Sequence, residues 1–151
     1  SLIIGGEDDG ERYQVGRIST SGHVTEFPIP TASSKPGSIT PGPDGNLWFA
    51  EILDNKIGRI TTSGRIAEFV VPSPKNGPFG ITSGPDGKMW FTEYGLTEKT
   101  GNKVGSATLS DEECVTECKE AMLLFGDLRC ETPTIEQKLV SSHPVDKVST
   151  G

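Results

Sequence analysis

The sequence has no cluster of basic residues and no long hydrophobic run. Its 151 residues carry 14 Lys and Arg against 21 Asp and Glu, a net charge of -7, whereas nucleic acid and anionic membranes must be met by clustered positive charge. No stretch of about 20 apolar residues could span a bilayer, and the first residues lack the basic region and apolar stretch of a signal peptide. We therefore expect a soluble protein that binds neither nucleic acid nor membrane, in a compartment that the sequence leaves open.

Cysteine is also scarce, since the chain has three: Cys114, Cys118 and Cys130. An odd number leaves at least one thiol free or paired between chains, so a disulfide framework is not expected. Together with His143 the three thiols could hold zinc, but their spacing is not that of a zinc ribbon or finger. The preferred interpretation makes Cys114 and Cys118 small apolar residues on the buried face of a helix. A disulfide from either one to Cys130 is the other alternative.

Glycine and proline, in contrast, are abundant, with 19 and 11 residues. Hydrophobic residues make up 32% of the chain, below the roughly 45 to 50% of typical globular domains. Glycine and proline recur at regular places, which favours frequent tight turns between short strands. The composition predicts an all-β fold with a modest core.

A tandem repeat of 42 residues accounts for this regular spacing, because residues 36–51 align without a gap to residues 78–93. The same offset relates three shorter pieces: Gly16-Arg17-Ile18 to Gly58-Arg59-Ile60, Ser21-Gly22 to Ser63-Gly64, and Glu26-Phe27 to Glu68-Phe69. Each long copy contains Gly-Pro-Asp-Gly, where the fixed φ of Pro suits a type I turn and the last Gly can take positive φ. We therefore interpret Asp44, Gly45, Asp86 and Gly87 as residues of hairpin turns.

The segments that flank these turns alternate apolar and polar residues, which predicts four short strands per repeat. Four strands in about 40 to 45 residues is the size of one β-propeller blade. We predict a partial propeller of about two and a half blades within residues 1–108, with repeats near 13–27, 36–69 and 78–108. Trp48 and Trp90 recur at one repeat position, followed by Phe49 and Phe91, and are expected to pack between blades.

Residues 109–151 depart from the repeat and predict a helical appendage with a loose tail. Ser110 to Glu113 form a capping box, and apolar residues follow at helical spacing, so a helix is expected over about 111–125. Thr132-Pro133 could open a second, shorter helix through Ile135 and Leu139. The appendage could cover an open blade face. Open faces could otherwise allow several chains to assemble into a homo-oligomer.

Residues 78–93 read Pro-x-Gly-Ile-Thr-x-Gly-Pro-Asp-Gly-x-x-Trp-Phe-Thr-Glu, and residues 36–51 differ from this motif only at Ser38 and Ala50. In the middle copy Asn-Lys-Ile-Gly-Arg-Ile-Thr follows. Over about residues 13–108 this motif resembles the virginiamycin B lyase family, the streptogramin-cleaving β-propellers associated with antibiotic resistance. The resemblance implies a carbon-oxygen lyase in which Mg²⁺ assists an elimination that linearises a cyclic depsipeptide. It also implies a histidine general base directly after the Pro of a Pro-His-x-Ile-Thr segment.

The positions that match this histidine hold Gly37 and Phe79, neither of which can accept a proton, so we expect no catalytic residue in these blades. Glu51 and Glu93 match the family's glutamate at the end of the Trp-Phe-Thr-Glu strand. The resemblance makes these two the candidate ligands of a Mg²⁺ ion at the channel mouth.

Two classes of function fit these residues. The chain could be a streptogramin-lyase-like propeller that lacks the catalytic histidine, either as a piece of a larger enzyme or as a relative without the chemistry. Alternatively it could be a non-catalytic binding or scaffold module whose blade loops contact a small molecule, a protein or a glycan. The two histidines of the chain, His23 in a turn and His143 beyond the repeat, are expected at the surface rather than as a replacement base.

Overall fold

The structure is a computed structural model that describes residues 2–4, 12–72, 77–95, 103–108 and 134–139. These residues form β-strands and no helix. The strands are β1 (Leu2–Ile4), β2 (Gln14–Ile18), β3 (Val24–Pro28), β4 (Pro36–Pro41), β5 (Leu47–Glu51), β6 (Lys56–Ile60), β7 (Ile66–Val70), β8 (Pro78–Ser83), β9 (Met89–Glu93), β10 (Lys103–Thr108) and β11 (Thr134–Leu139). Among the described residues there is thus no helix that is long and apolar enough to cross a membrane.

The strands form three antiparallel sheets in chain order, which we call blades 1, 2 and 3. Blade 1 has the order β1-β2-β3, blade 2 the order β4-β5-β6-β7, and blade 3 the order β8-β9-β10-β11. The predicted all-β partial propeller with four-stranded blades is confirmed. In blade 1, β1 adds a third strand to the two that the repeat predicted.

The Gly-Pro-Asp-Gly segments form the hairpin turns that join β4 to β5 and β8 to β9. Gly45 and Gly87 have φ of 76° and 74°, which a side chain would strain. Asp44 accepts hydrogen bonds at Oδ1 from the backbone N of Asn46 (3.2 Å) and from Nε1 of Trp48 (3.0 Å). Asp86 repeats the bond to Nε1 of Trp90 at 3.0 Å. The turn role predicted for both aspartates is confirmed, and each also fixes the tryptophan that follows it.

The core lies between the blades, because successive side chains of β5 point to opposite faces of blade 2, one toward blade 1 and the next toward blade 3. Trp48 and Phe49 are both fully buried, on opposite faces of the strand. Between blades 2 and 3 the buried cluster consists of Trp48, Ile57, Val71, Ile81, Met89, Phe91 and Ala107. Between blades 1 and 2 it consists of Val15, Ile29, Phe49 and Ile60. Trp48, Phe49 and Phe91 thus pack between blades as predicted, whereas Trp90 is half-buried and belongs to neither cluster.

One helix prediction is wrong, because the segment that Thr132-Pro133 was expected to open is strand β11. It pairs with β10 from Thr108 opposite Thr134 to Lys103 opposite Leu139, and so completes blade 3. Ile135 and Leu139 are spaced as on a helix face, but Ile135 packs on the core while Glu136 is exposed, which is the alternation of a strand. The pairing with β10 therefore overrides the local helical pattern. The helix expected over 111–125 and the three cysteines lie outside the described residues.

Candidate functional site

The two positions that match the family's histidine lie at the start of the innermost strands, β4 and β8. Pro36 pairs with Glu51, and Pro78 pairs with Glu93. The strand-end glutamates therefore lie at the same end of their blades as Gly37 and Phe79. This end of the blades is the candidate site.

Gly37 has little room for a side chain. A Cβ atom there would lie 3.1 Å from the carbonyl oxygen of Phe79 and 3.3 Å from Cδ1 of Ile52. The register of β4 against β5 also shifts between Pro36 and Ile39, so the backbone is irregular at this point. A histidine would require both neighbours to move, so in blade 2 the local packing, as well as the sequence, disfavours a general base.

Phe79 instead presents an aromatic ring to solvent. Its side chain is 52% exposed, and it lies beside Tyr94, which is 71% exposed and directly follows β9. The two ring centroids are 5.7 Å apart with an interplanar angle of 35°. We call these two residues the aromatic pair. Exposed rings of this kind contact flat or apolar groups of a ligand favourably.

Glu51 is fully buried between blades 1 and 2, and neither of its carboxylate oxygens accepts a hydrogen bond from the described residues. Burial, followed by the neighbouring charge of Glu68, raises the pKa of Glu51 to about 8, against a smaller opposing effect of Lys56. The carboxyl is thus mainly protonated at neutral pH, which is unfavourable for binding a cation.

Glu68, whose charge acts on Glu51, is held in place by polar contacts across this interface. Its two oxygens accept hydrogen bonds from the backbone N of Thr31 (3.0 Å) and from Thr31 Oγ1 (2.8 Å), and Lys56 Nζ lies 3.6 Å from Oε2. Thr31 belongs to the segment that connects blade 1 to blade 2. Glu51, Glu68, Lys56 and Thr31 therefore form a polar cluster that joins the two blades.

The sequence-predicted Mg²⁺ ligands do not fit a magnesium site within the described residues. Glu51 and Glu93 are 0% and 4% exposed, whereas Mg²⁺ in proteins usually keeps several water ligands. In the part of the chain that the structure describes, no three His, Cys, Asp or Glu residues are placed to hold a metal ion together. Mg²⁺ binding stays a prediction from the resemblance.

The two histidines of the chain, His23 and His143, were expected at the surface. His23 is exposed in the turn between β2 and β3, where its carbonyl oxygen accepts a hydrogen bond from the backbone N of Ser19 (2.8 Å). His143 lies outside the described residues.

Sequence reasoning missed the aromatic pair and the role of Glu68. The recurring Glu-Phe dipeptide at 26–27 and 68–69 was the available signal for Glu68.

Comparison with known proteins supports the family resemblance. Residues 9–119 match the Virginiamycin B lyase family. A streptogramin B lyase structure is 33% identical with a TM-score of 0.62, covering 87% of this chain and 37% of that one. The selenomethionine-substituted virginiamycin B lyase from Staphylococcus aureus is 32% identical with a TM-score of 0.62, covering 93% and 41%.

A third structure shows a catalytically inactive histidine-to-alanine variant of the Staphylococcus aureus virginiamycin B lyase with quinupristin. It is 46% identical with a TM-score of 0.57, covering 68% of this chain and 35% of that one. Among curated protein sequences, none matches this chain. The chain spans between 35% and 41% of the length of these three structures. Because the family match extends over most of its residues, this chain belongs to the virginiamycin B lyase family.

Proposed function

We propose that these blades are the ligand-binding, non-catalytic part of a streptogramin-lyase-like propeller. The observation that carries the proposal is that the positions matching the family's general base hold Gly37, where a Cβ atom would lie only 3.1 Å from the Phe79 carbonyl oxygen, and Phe79, which is exposed. Neither side chain can take a proton from a substrate. The described residues therefore contribute surface rather than chemistry.

The aromatic pair is the part of this surface best suited to a ligand. Phe79 and Tyr94 lie at the end of blade 3 where the family's histidine position and strand-end glutamate also lie. The two rings contact each other and together present one continuous aromatic surface, on which an apolar or aromatic group of a ligand can pack. Quinupristin, which is named in one of the related structures, is the probe to use.

The proposal is tested by titrating the full chain with quinupristin in a calorimeter. We expect saturable binding that Phe79→Ala weakens about tenfold, because losing an aromatic contact costs roughly 1 to 1.5 kcal/mol. Val24→Ala is the matched control, since Val24 is also 52% exposed but lies in β3 of blade 1, away from the aromatic pair. No binding, or equal weakening by both variants, would refute the proposal.

A second candidate is a scaffold in which several chains assemble through their blade faces. Trp90 is half-buried although its repeat partner Trp48 is fully buried, so part of the Trp90 ring stays accessible on the face of blade 3 opposite to Met89 and Phe91. Light scattering should then give a mass that is a multiple of one chain, and Trp90→Lys should return it to a single chain. A monomer at every concentration would exclude this candidate.

A further inference from the structure

Lys35 and Gly77 are equivalent residues that directly precede the innermost strands β4 and β8, at the end of the blades that holds the candidate site. They are one repeat apart, and both have a φ of 47°. The carbonyl oxygen of Lys35 accepts a hydrogen bond from the backbone N of Ile52 (3.2 Å). That of Gly77 accepts the equivalent bond from the backbone N of Tyr94 (3.0 Å). The fold therefore requires the same left-handed backbone conformation at both positions.

Lys35 is strained by this conformation, whereas Gly77 is not. Glycine adopts a φ of this sign readily, but a side chain crowds the backbone there. The Lys35 side chain is exposed, and its Nζ atom forms no ion pair with any of the described residues. The polar contacts described within the chain thus do not offset the strain. Backbone strain of this kind is typical of positions whose side chain serves binding.

Lys35 lies close to the aromatic pair, because the start of β4 abuts the start of β8. Gly37, two residues after Lys35, would place a Cβ atom 3.1 Å from the carbonyl oxygen of Phe79. Ser38 Oγ donates a hydrogen bond to the same oxygen at 3.0 Å. Lysine has a flexible four-carbon stem. Its ammonium group can therefore reach a ligand that packs on the ring of Phe79.

We propose that Lys35 makes the candidate site selective for ligands that join an anionic group to an aromatic ring, such as an aryl carboxylate. The ring packs on the aromatic pair, and the ammonium group of Lys35 binds the anion. This inference rests on the proposed function, to which it adds the chemical class of the ligand. It also agrees with the poor fit of Glu51 and Glu93 to a magnesium site, since a lysine here favours an anion over a cation.

The acidic residues of blade 2 leave the Lys35 ammonium group available. Glu51 is fully buried. Glu68 accepts a hydrogen bond from Thr31 Oγ1 and lies 3.6 Å from Lys56 Nζ, so its charge is already paired. Among the described residues at this end of blades 2 and 3, Lys35 carries the exposed charge. The local charge beside the aromatic pair is therefore positive, although the chain as a whole has a net charge of -7.

The test compares naphthoate with naphthamide, which differ in charge and share the same rings, by NMR titration of the full chain. We expect naphthoate to bind about threefold more tightly, because an exposed ion pair is weak. Lys35→Gln should abolish this preference, and Lys35→Arg should retain it. Lys88→Gln is the matched control, since Lys88 lies in the turn between β8 and β9 at the opposite end of blade 3. This control should leave the preference unchanged.

Failure of the proposed function and failure of this inference give different results. If neither compound binds, or if Phe79→Ala leaves both affinities unchanged, the proposed function fails and the inference fails with it. If both compounds bind equally well, or if Lys35→Gln keeps the preference for naphthoate, the inference alone is overturned.

Lys35→Gly tests the argument from strain separately. Glycine relieves the strained φ, and this relief offsets the greater freedom of the unfolded chain. The midpoint of urea unfolding should therefore not fall, while the preference for naphthoate is lost. A lower midpoint would show that the lysine is retained for stability, and would overturn the inference.

Discussion

Gly58 and Phe49 offer a sharp test of how the blades pack. A Cβ atom on Gly58 would lie 2.1 Å from Cζ and 2.3 Å from Cε2 of Phe49. Phe49 is fully buried and packs in one cluster with Val15 and Ile29 of blade 1. The ring cannot retreat without opening the interface between blades 1 and 2, so Gly58→Ala should force that interface apart.

The expected loss of stability follows from the energetic cost of overpacking. Inserting one methyl group into a packed core typically costs 1 to 3 kcal/mol, and a contact this short belongs at the upper end, about 3 kcal/mol. Phe49→Ala alone should cost about 3 to 5 kcal/mol through the cavity that it leaves. Once the ring is absent, the added methyl has space, so the double variant should be no less stable than Phe49→Ala alone. The expected coupling between the two sites is therefore about 3 kcal/mol.

The assay is urea unfolding of the four proteins of this cycle, comparing midpoints at an unchanged m value. Gly105→Ala with Phe91→Ala repeats the cycle in blade 3, where the Cβ atom would lie 2.0 Å from Cζ of Phe91. A cost below about 1 kcal/mol for Gly58→Ala, or additive costs in the double variant, would refute the packing described above.

Two further predictions concern the turn aspartates and the buried carboxyl. Asp44→Ala should lower the free energy of unfolding in urea by about 2 kcal/mol, because Trp48 Nε1 would lose its acceptor in a buried position. Asp86→Ala should lower it by about half as much, because Trp90 Nε1 is only half-buried. Equal losses for the two variants would contradict this. The pKa of Glu51 is raised from 4.5 to about 8, so the folded protein retains a proton that the unfolded chain releases, and stability should fall as pH rises from 4.5 to 8. Glu51→Gln should abolish this fall and be more stable than the unaltered protein by about 4 kcal/mol at pH 8, since each unit of pKa shift corresponds to about 1.4 kcal/mol. An unchanged pH dependence of the unfolding midpoint would contradict the assignment.

Local signals made much of the fold predictable from the sequence. The Gly-Pro-Asp-Gly turns and the 42-residue offset fixed the positions of β4, β5, β8 and β9, because turn chemistry and strand alternation depend on neighbours in sequence. The packing of Trp48 between blades was also predictable, since a repeated aromatic position is typical of layered structures. These features require no long-range contact to be recognised.

Features that depend on distant partners were not predictable. The local sequence of β11 predicts a helix, and β10, the strand with which it pairs, is separated from it in sequence by residues 109–133. β1 has three residues and no counterpart at the repeat offset, so its strand conformation follows from pairing with β2. The identity of Gly37 and Phe79 predicts that these two blades supply no general base, and this stays a prediction. The burial of Glu51 was not predictable, because it depends on Glu68 and on the cover provided by blade 1.

Turnover of quinupristin by the full chain, with and without Mg²⁺, tests the central claim most directly. Linearised product would be measured by mass spectrometry over hours at high protein concentration. Because Gly37 and Phe79 occupy the positions of the family's base, we predict no product above the rate in buffer while quinupristin still binds. Product formation that depends on Mg²⁺ and on this chain would contradict the account.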